Sequence, residues 1–174
     1  MVEMQREALA GLQRAANTDH LTGIGNRRAI TERVESEWRR AQRYGRPFSI
    51  LLVDIDDLKG INDHRGHIAG DLVITEVARR LNGALRVADE VARIGGDEFM
   101  GVCPETGGPA ARAIARKLTR AIAAAPVMTA SGGIPVRVSV GASAMLPTHG
   151  TVQDVVAAAD VHLYRVKRRG RGDG

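Results

Sequence analysis

Residues 91–102 read Val-Ala-Arg-Ile-Gly-Gly-Asp-Glu-Phe-Met-Gly-Val, and this stretch decides the fold. Two short apolar runs, 91–94 and 98–102, lie on either side of Gly95-Gly96. A Gly-Gly pair permits the primed two-residue turns whose twist suits a hairpin. The pattern therefore predicts two antiparallel strands, with Asp97 and Glu98 at the mouth of the turn.

Helical and strand patterns surround this hairpin. Apolar spacing predicts helices at 27–43, 73–85 and 110–125 and from Thr151 onward, where Asp154 follows as a capping-box variant. Strands are predicted at 48–53 and 136–140, and the first runs into Asp54-Ile-Asp-Asp57. The segment 59–71 is predicted to be a polar loop. At 174 residues, the chain fits one domain of the α/β (α+β) class.

The first sixteen residues carry a separate pattern. Val2, Leu9, Leu12 and Ala16 fall on a heptad stripe, with Gln5 in the remaining position. About two repeats leave two readings open, a coiled-coil remnant or a lone amphipathic helix. We divide the chain into an N-terminal helix at 1–16 and a domain at 17–174.

Composition excludes several classes of protein. One cysteine rules out an internal disulfide and a cysteine-rich zinc site, and five aromatic residues argue against a stacking platform for single-stranded nucleic acid. No apolar run reaches the ~18 residues of a membrane span. We therefore expect no membrane segment and a cytoplasmic location. The net charge of +5 leaves open either a solvated basic surface or a phosphate-rich partner.

Acidic residues follow two of the predicted strands. If these strands are neighbours, Asp54, Asp97 and Glu98 converge at one end of the sheet. Converging carboxylates repel each other unless a cation neutralises them, and hard oxygen ligands suit Mg²⁺. Acidic residues at strand ends are also ordinary turn formers, but the adjacent glycines favour a metal site.

Other segments have the chemistry to bind a nucleotide. Gly95 and Gly96 would let a ligand lie against the backbone, and the segment 59–71 could bind an anion or a base just before a helix. Lys167 and Arg171 are four residues apart and could hold phosphates, the alternative being a frayed basic tail. His67 alone is more typical of a structural histidine.

Six ordered segments together resemble the GGDEF family, the diguanylate cyclases. The resemblance covers residues 17–171 and rests on Asp19-His-Leu-Thr-Gly-Ile-Gly-Asn-Arg-Arg28, Asp54-Ile-Asp-Asp-Leu-Lys59, Asn62-Asp-His-Arg-Gly-His67, Gly70-Asp71, Arg93-Ile-Gly-Gly-Asp-Glu-Phe99 and Ala158–Lys167 with Gly170-Arg171. It implies a palm-like domain, with a central, mainly antiparallel sheet flanked by helices and preceded by an N-terminal signalling helix. It also implies condensation of two GTP into cyclic di-GMP with release of two pyrophosphates.

The resemblance further implies the metal ligands and the catalytic groups. Asp54, Asp97, Glu98 and the carbonyl of Ile55 would hold Mg²⁺, or alternatively Mn²⁺. Asp97, with Glu98 able to share the role, would help to deprotonate the ribose 3′-hydroxyl. Lys59 would stabilise the transition state.

The family's nucleotide contacts map onto a second set of residues. Asn62 and Asp71 would read guanine, because a carboxylate can accept from the base's N1–H and 2-amino group. His67 would shape that pocket. Lys167 and Arg171 would join Lys59 in contacting the phosphates.

The resemblance also predicts assembly and regulation. One site holds one GTP, so two subunits must face each other in a homodimer. Arg86-Val-Ala-Asp89 lies at the spacing of the family's product-inhibition site, where cyclic di-GMP binds; the alternative is a local surface ion pair. A sensor domain outside this chain would supply the signal. Two rival functions are a nucleotide-sensing module without turnover and a basic nucleic-acid-binding domain.

Overall fold

A computed structural model describes residues 5, 6 and 16–170. The helices are α1 (Arg27–Tyr44), α2 (Leu58–Arg65), α3 (His67–Ala84), α4 (Gly108–Ala123) and α5 (Val152–Gly170). The strands are β1 (Gly25–Asn26), β2 (Phe48–Ile55), β3 (Glu90–Arg93), β4 (Glu98–Pro104), β5 (Val127–Thr129), β6 (Gly132–Ile134) and β7 (Val138–Ala144). Most of the predicted helix at 1–16 lies outside the described residues.

The main sheet has the strand order β1-β3-β4-β2-β7. All of its pairings are antiparallel except the short parallel contact of β1 with β3. This confirms the predicted mainly antiparallel sheet. Strands β5 and β6 form a separate two-stranded sheet.

Strand β2 lies inside the sheet, and all eight of its residues are buried. Alternate side chains enter different cores, as the two-residue period of a strand requires. Leu51 and Val53 pack with residues of α3 and α4, while Ile50 and Leu52 pack with residues of α1 and α5. The continuous apolar run is thus explained by helices that cover both faces.

The segment 59–71 differs from its prediction as a polar loop. It forms α2 and the first residues of α3, with a break at Gly66, whose φ is 83°. Asp57, with a φ of 55°, caps α2 and accepts a hydrogen bond from the Gly60 amide at 3.2 Å. Leu58 is the one buried residue of α2, so this helix lacks the apolar stripe from which helices are recognised.

The hairpin is present, but the predicted two-residue turn is wrong. Four residues, 94–97, lie between β3 and β4. Neither Gly95 nor Gly96 has the positive φ that a primed turn requires. The Ile94 and Gly95 amides both donate to the Glu98 carbonyl, at 2.9 and 3.3 Å.

Helix α5 lies close against β7. A side chain at Gly141 would collide with the backbone of α5 at Ala159 and Leu163. The predicted capping box is confirmed, because the Thr151 amide donates to the Asp154 carboxylate and the Asp154 amide donates to the Thr151 hydroxyl. The cap and the close packing together fix the helix that carries Lys167.

Candidate active site

The strand ends that carry the acidic residues are neighbours in the sheet. Asp54 lies directly opposite Glu98 in the sheet register, and the Ile55 amide donates to the Asp97 carbonyl at 3.0 Å. Like charges directly opposite each other destabilise a sheet. This end of the sheet therefore carries surplus negative charge.

One carboxylate of the group, that of Asp54, has a cation beside it. Lys167 Nζ lies 2.7 Å from Asp54 Oδ2. Burial nevertheless raises the pKa of Asp54 above its ordinary value, and the charges of Asp97 and Asp56 act in the same direction against Lys167. The lysine alone does not compensate for the burial of this carboxylate.

The donor atoms suit a hard cation. Within residues 16–170, no three His, Cys, Asp or Glu side chains are grouped closely enough to hold a metal by themselves. Glu98 lies against the turn, where a side chain at Gly95 would approach its Oε2 to 2.7 Å. Carboxylate oxygens are the donors that a hard divalent cation prefers, so these residues fit such an ion in donor type but would need further ligands to complete its coordination.

A cavity of about 640 Å³ opens beside Asp54. Its polar lining comes from the ends of β2, β7 and α5 and includes Asp54, Asp56, Asp57, Arg137, Ser139 and Lys167. The Ser139 hydroxyl donates to Asp56 Oδ1 at 2.7 Å. The cavity thus brings carboxylates and two basic residues to one wall of the domain.

The predicted guanine-reading residues lie on α2 and α3. The Asn62 side chain rests against Gly70, where a β-carbon would collide with Asn62 Oδ1. That oxygen is buried and has no hydrogen-bond partner among the described residues, an uncommon state for a buried polar atom. Asp71 follows Gly70 in α3, and both it and His67 are exposed. The Asn62 amide oxygen, a predicted guanine contact, is therefore unpaired among the described residues and lies beside the turn of α3 that carries Asp71.

The predicted phosphate contacts are only partly brought together. Lys167 lines the cavity, whereas Lys59 is exposed in the first turn of α2 and is not part of the lining. Arg171 lies outside the described residues.

Two arginines without a predicted role hold the hairpin turn. Arg93 donates to the Gly96 carbonyl at 3.0 and 3.3 Å and lies 3.4 Å from Asp19. Arg27 donates to the Ile94 carbonyl at 2.9 and 2.5 Å. Both arginines belong to motifs that carry the family resemblance, and this was the feature of the sequence that could have identified them. Their bonds fix the backbone that carries Asp97.

Arg86 and Asp89 lie at the opposite end of the hairpin, just before β3. The guanidinium contacts both carboxylate oxygens, at 2.7 and 3.0 Å, and the Thr106 hydroxyl at 2.9 Å. The Asp89 side chain is only 1% exposed. Burial, with the Asp89 charge adding to it, raises the pKa of the adjacent Cys103 thiol to about 12. The charges of Arg86 and Asp89 therefore neutralise each other within this segment.

The family description "Diguanylate cyclase, GGDEF domain" matches residues 16–173. The chain belongs to the GGDEF family. The GGDEF domain is 41% identical over 156 residues to the diguanylate cyclase DgcP of Pseudomonas aeruginosa and 39% identical over 158 residues to the response regulator PleD of Caulobacter vibrioides. Each match covers 90% of this chain but only 23% of DgcP and 35% of PleD.

Solved structures show the same fold. The coiled coil and GGDEF domain of DgcB from Caulobacter crescentus, in complex with c-di-GMP, superimposes with a TM-score of 0.90 at 29% identity, covering 97% of this chain and 90% of that one. The diguanylate cyclase SiaD of Pseudomonas aeruginosa, in complex with its activator SiaC, gives 0.87 at 33% identity, covering 97% and 64%. The helices within the described part of the chain are too short or too polar to cross a bilayer.

Proposed function

We propose that this GGDEF domain is a diguanylate cyclase that condenses two GTP into cyclic di-GMP and two pyrophosphates. The observation that carries the proposal is that the backbone segments bearing Asp54, Asp97 and Glu98 adjoin at one end of the sheet, where Asp54 and Lys167 line a cavity. Over 90–92% of this chain, its aligned residues are 34–41% identical to those of relatives named diguanylate cyclase or probable diguanylate cyclase.

The metal site is part of this proposal. Asp54, Asp97 and the Ile55 carbonyl, with Glu98 beside them, would hold Mg²⁺, and Mn²⁺ has the same preference for oxygen donors. When bound, such ions lower the pKa of an attacking hydroxyl and neutralise a leaving oxygen. The raised pKa of Asp54 fits a carboxylate whose full compensation comes from a ligand.

The protein's own groups would position the nucleotide and move its proton. Asp97, with Glu98 sharing the role, accepts the proton of the 3′-hydroxyl. Lys167, Arg171 and Lys59 contact the phosphates and stabilise the charge that develops on pyrophosphate.

The base would bind between α2 and α3. Asn62 offers its buried, unpartnered amide oxygen to a donor on guanine, and Asp71 accepts from the N1–H and 2-amino groups. His67, at the start of α3, shapes the edge of this pocket. The cavity beside Lys167 then remains for the phosphate end of the nucleotide.

Assembly and regulation complete the proposal. Each domain supplies one nucleotide site, so the enzyme works as a homodimer, with residues 1–16 as a helix that joins the catalytic domain at 17–174 to a separate sensor domain. Cyclic di-GMP inhibits through Arg86 and Asp89. As a GTP-consuming enzyme, it acts in the cytoplasm.

Mixing the protein with GTP and Mg²⁺ over a range of protein concentrations tests this function. We expect cyclic di-GMP, resolved by chromatography with mass detection, to form with more than first-order dependence on protein. The Lys167–Asp54 ion pair instead favours a second candidate, a GTP sensor without turnover, because it occupies a proposed metal ligand. Bound GTP without product, even in a protein dimerised through residues 1–16, would establish the sensor.

A further inference from the structure

Two basic residues line the cavity beside Asp54, and they are not equivalent. Lys167 is engaged by Asp54 at 2.7 Å. Arg137, which precedes β7, has no ion pair within 4.0 Å and no side-chain hydrogen bond to any residue in the described ranges. It is the cation of this cavity that carries an uncompensated charge.

The acidic residue opposite Arg137 is Asp56, and the two side chains are not paired. The Arg137 carbonyl accepts from the Asp56 amide at 3.0 Å, so the two residues face each other across the start of the β2–β7 pair. Residues facing each other in this way would ordinarily form an ion pair. The Asp56 carboxylate accepts from the Ser139 hydroxyl at 2.7 Å but makes no ion pair with Arg137 within 4.0 Å, so the guanidinium is available.

The backbone of Arg137 is well fixed. Val136 and Val138 on either side are 4% and 3% exposed, whereas Arg137 is exposed, as the two-residue period of extended chain requires. Arg137 lies just outside β7, and the burial of its two neighbours and the hydrogen bond to its carbonyl hold its backbone in place.

We propose that Arg137 binds the terminal phosphates of GTP, and pyrophosphate after the reaction; this inference rests on the proposed function. A guanidinium presents a planar set of donors that matches phosphate oxygens. The guanine-reading residues Asn62 and Asp71 do not line this cavity, so its cation faces the phosphate end of the nucleotide and not the base. None of the recognised sequence motifs includes Arg137.

Competition binding tests the assignment. The intact protein, with a fluorescent GTP analogue bound in the presence of Mg²⁺, is titrated with inorganic pyrophosphate and separately with GMP. We expect Arg137→Ala to weaken pyrophosphate binding about tenfold and GMP binding less than about twofold, with Arg137→Lys in between. The matched control is Arg39→Ala, because Arg39 is a 69%-exposed arginine on α1 outside the cavity.

Each outcome separates the inference from the function on which it rests. Unchanged pyrophosphate binding in Arg137→Ala, or equal weakening for pyrophosphate and GMP, overturns the role of Arg137 while the wild-type protein still makes cyclic di-GMP. A wild-type protein that binds neither GTP nor pyrophosphate overturns both. An increase in the GTP KM with little change in kcat would support a phosphate-binding role over a structural one.

Discussion

Asp54 and Asp89 lie near opposite ends of the β3–β4 hairpin, and each is paired with a cation at 2.7 Å. Their surroundings differ. Arg86 lies three residues from Asp89, contacts both of its carboxylate oxygens and also offers its backbone amide at 3.1 Å. Asp54 is contacted by a lysine from another element and faces Glu98 across the sheet.

The same ion-pair distance therefore has two different meanings. At Asp89 the charge is satisfied within a short segment, so the pair contributes to folding. At Asp54 burial and neighbouring carboxylates outweigh the lysine, so the charge is incompletely compensated. An ion-pair distance alone does not show whether the charge of a carboxylate is compensated. The other charges around it must also be considered.

The largest expected effect is the loss of turnover when Asp97, at the turn of the β3–β4 hairpin, is substituted. Asp97→Ala should lower the rate of cyclic di-GMP formation at least about a hundredfold, because it removes a proposed metal ligand and base. Thermal unfolding should be unchanged or shifted upward, since Asp97 repels Asp54. Glu35→Ala, at an exposed site on α1, is the control. Wild-type rates in Asp97→Ala would refute the metal assignment.

The same substitution at the two aspartates should have different effects on stability. Asp89→Asn should lower the free energy of unfolding by about 1–3 kcal/mol, because it weakens several hydrogen bonds to a buried carboxylate. Asp54→Asn should leave that free energy unchanged or raise it, since burial disfavours the charged form. Chemical denaturation of both variants measures the difference. Equal losses of unfolding free energy in the two variants would show that the two aspartates do not differ in this way.

The next largest expected effect is on inhibition by cyclic di-GMP, at the Arg86–Asp89 end of the hairpin. Arg86→Ala should raise the concentration of cyclic di-GMP needed for half inhibition about tenfold, the effect of losing one charge-assisted contact of about 1.4 kcal/mol. The initial rate, measured before product accumulates, should be unchanged. Arg79→Ala is the control, because Arg79 makes a similar 2.7 Å pair three residues from Glu76. Identical inhibition curves for wild type and Arg86→Ala would leave this end a purely structural pair.

The smallest effect is a pH dependence at Asp54. Its folded-state pKa lies above the ordinary 3.8, so the folded protein gains stability as the pH falls through that raised value, and the gain is complete below 3.8. The stability advantage of Asp54→Asn over wild type should therefore shrink as the pH is lowered from 7 to 4. Denaturation at several pH values measures it, and an advantage that grows would contradict the raised pKa.

Much of the fold follows from the sequence because its elements have clear local patterns. The apolar run at 48–53 predicts a strand buried on both faces, and the Thr151–Asp154 pair marks the start of α5. The helix α2 was missed because its residues are mostly polar and its start depends on the left-handed conformation of Asp57. The turn type was missed because side-chain hydrogen bonds that hold the turn, from Arg93 to Gly96 and from the distant Arg27 to Ile94, are not visible in the Gly-Gly pattern.

The candidate site, like the fold, was only partly predictable from the sequence. The sequence predicts that Asp54, Asp97 and Glu98 converge only if their strands are neighbours, and the register of β2 with β4 supplies that condition. The pairing of Lys167 with Asp54, and the free charge of Arg137, depend on how β7 and α5 pack against β2. No local pattern records such contacts, so they appear only in the folded chain.

The Lys167–Asp54 pair also bears on how the protein is made. During translation, β2, the hairpin and the carboxylates they carry leave the ribosome before the helix with Lys167. Domains generally fold as units, so any sheet that forms before α5 emerges carries its repelling charges without Lys167. The final helix would then bring the lysine that offsets part of this repulsion, so a chain that ends before α5 should have a less stable sheet.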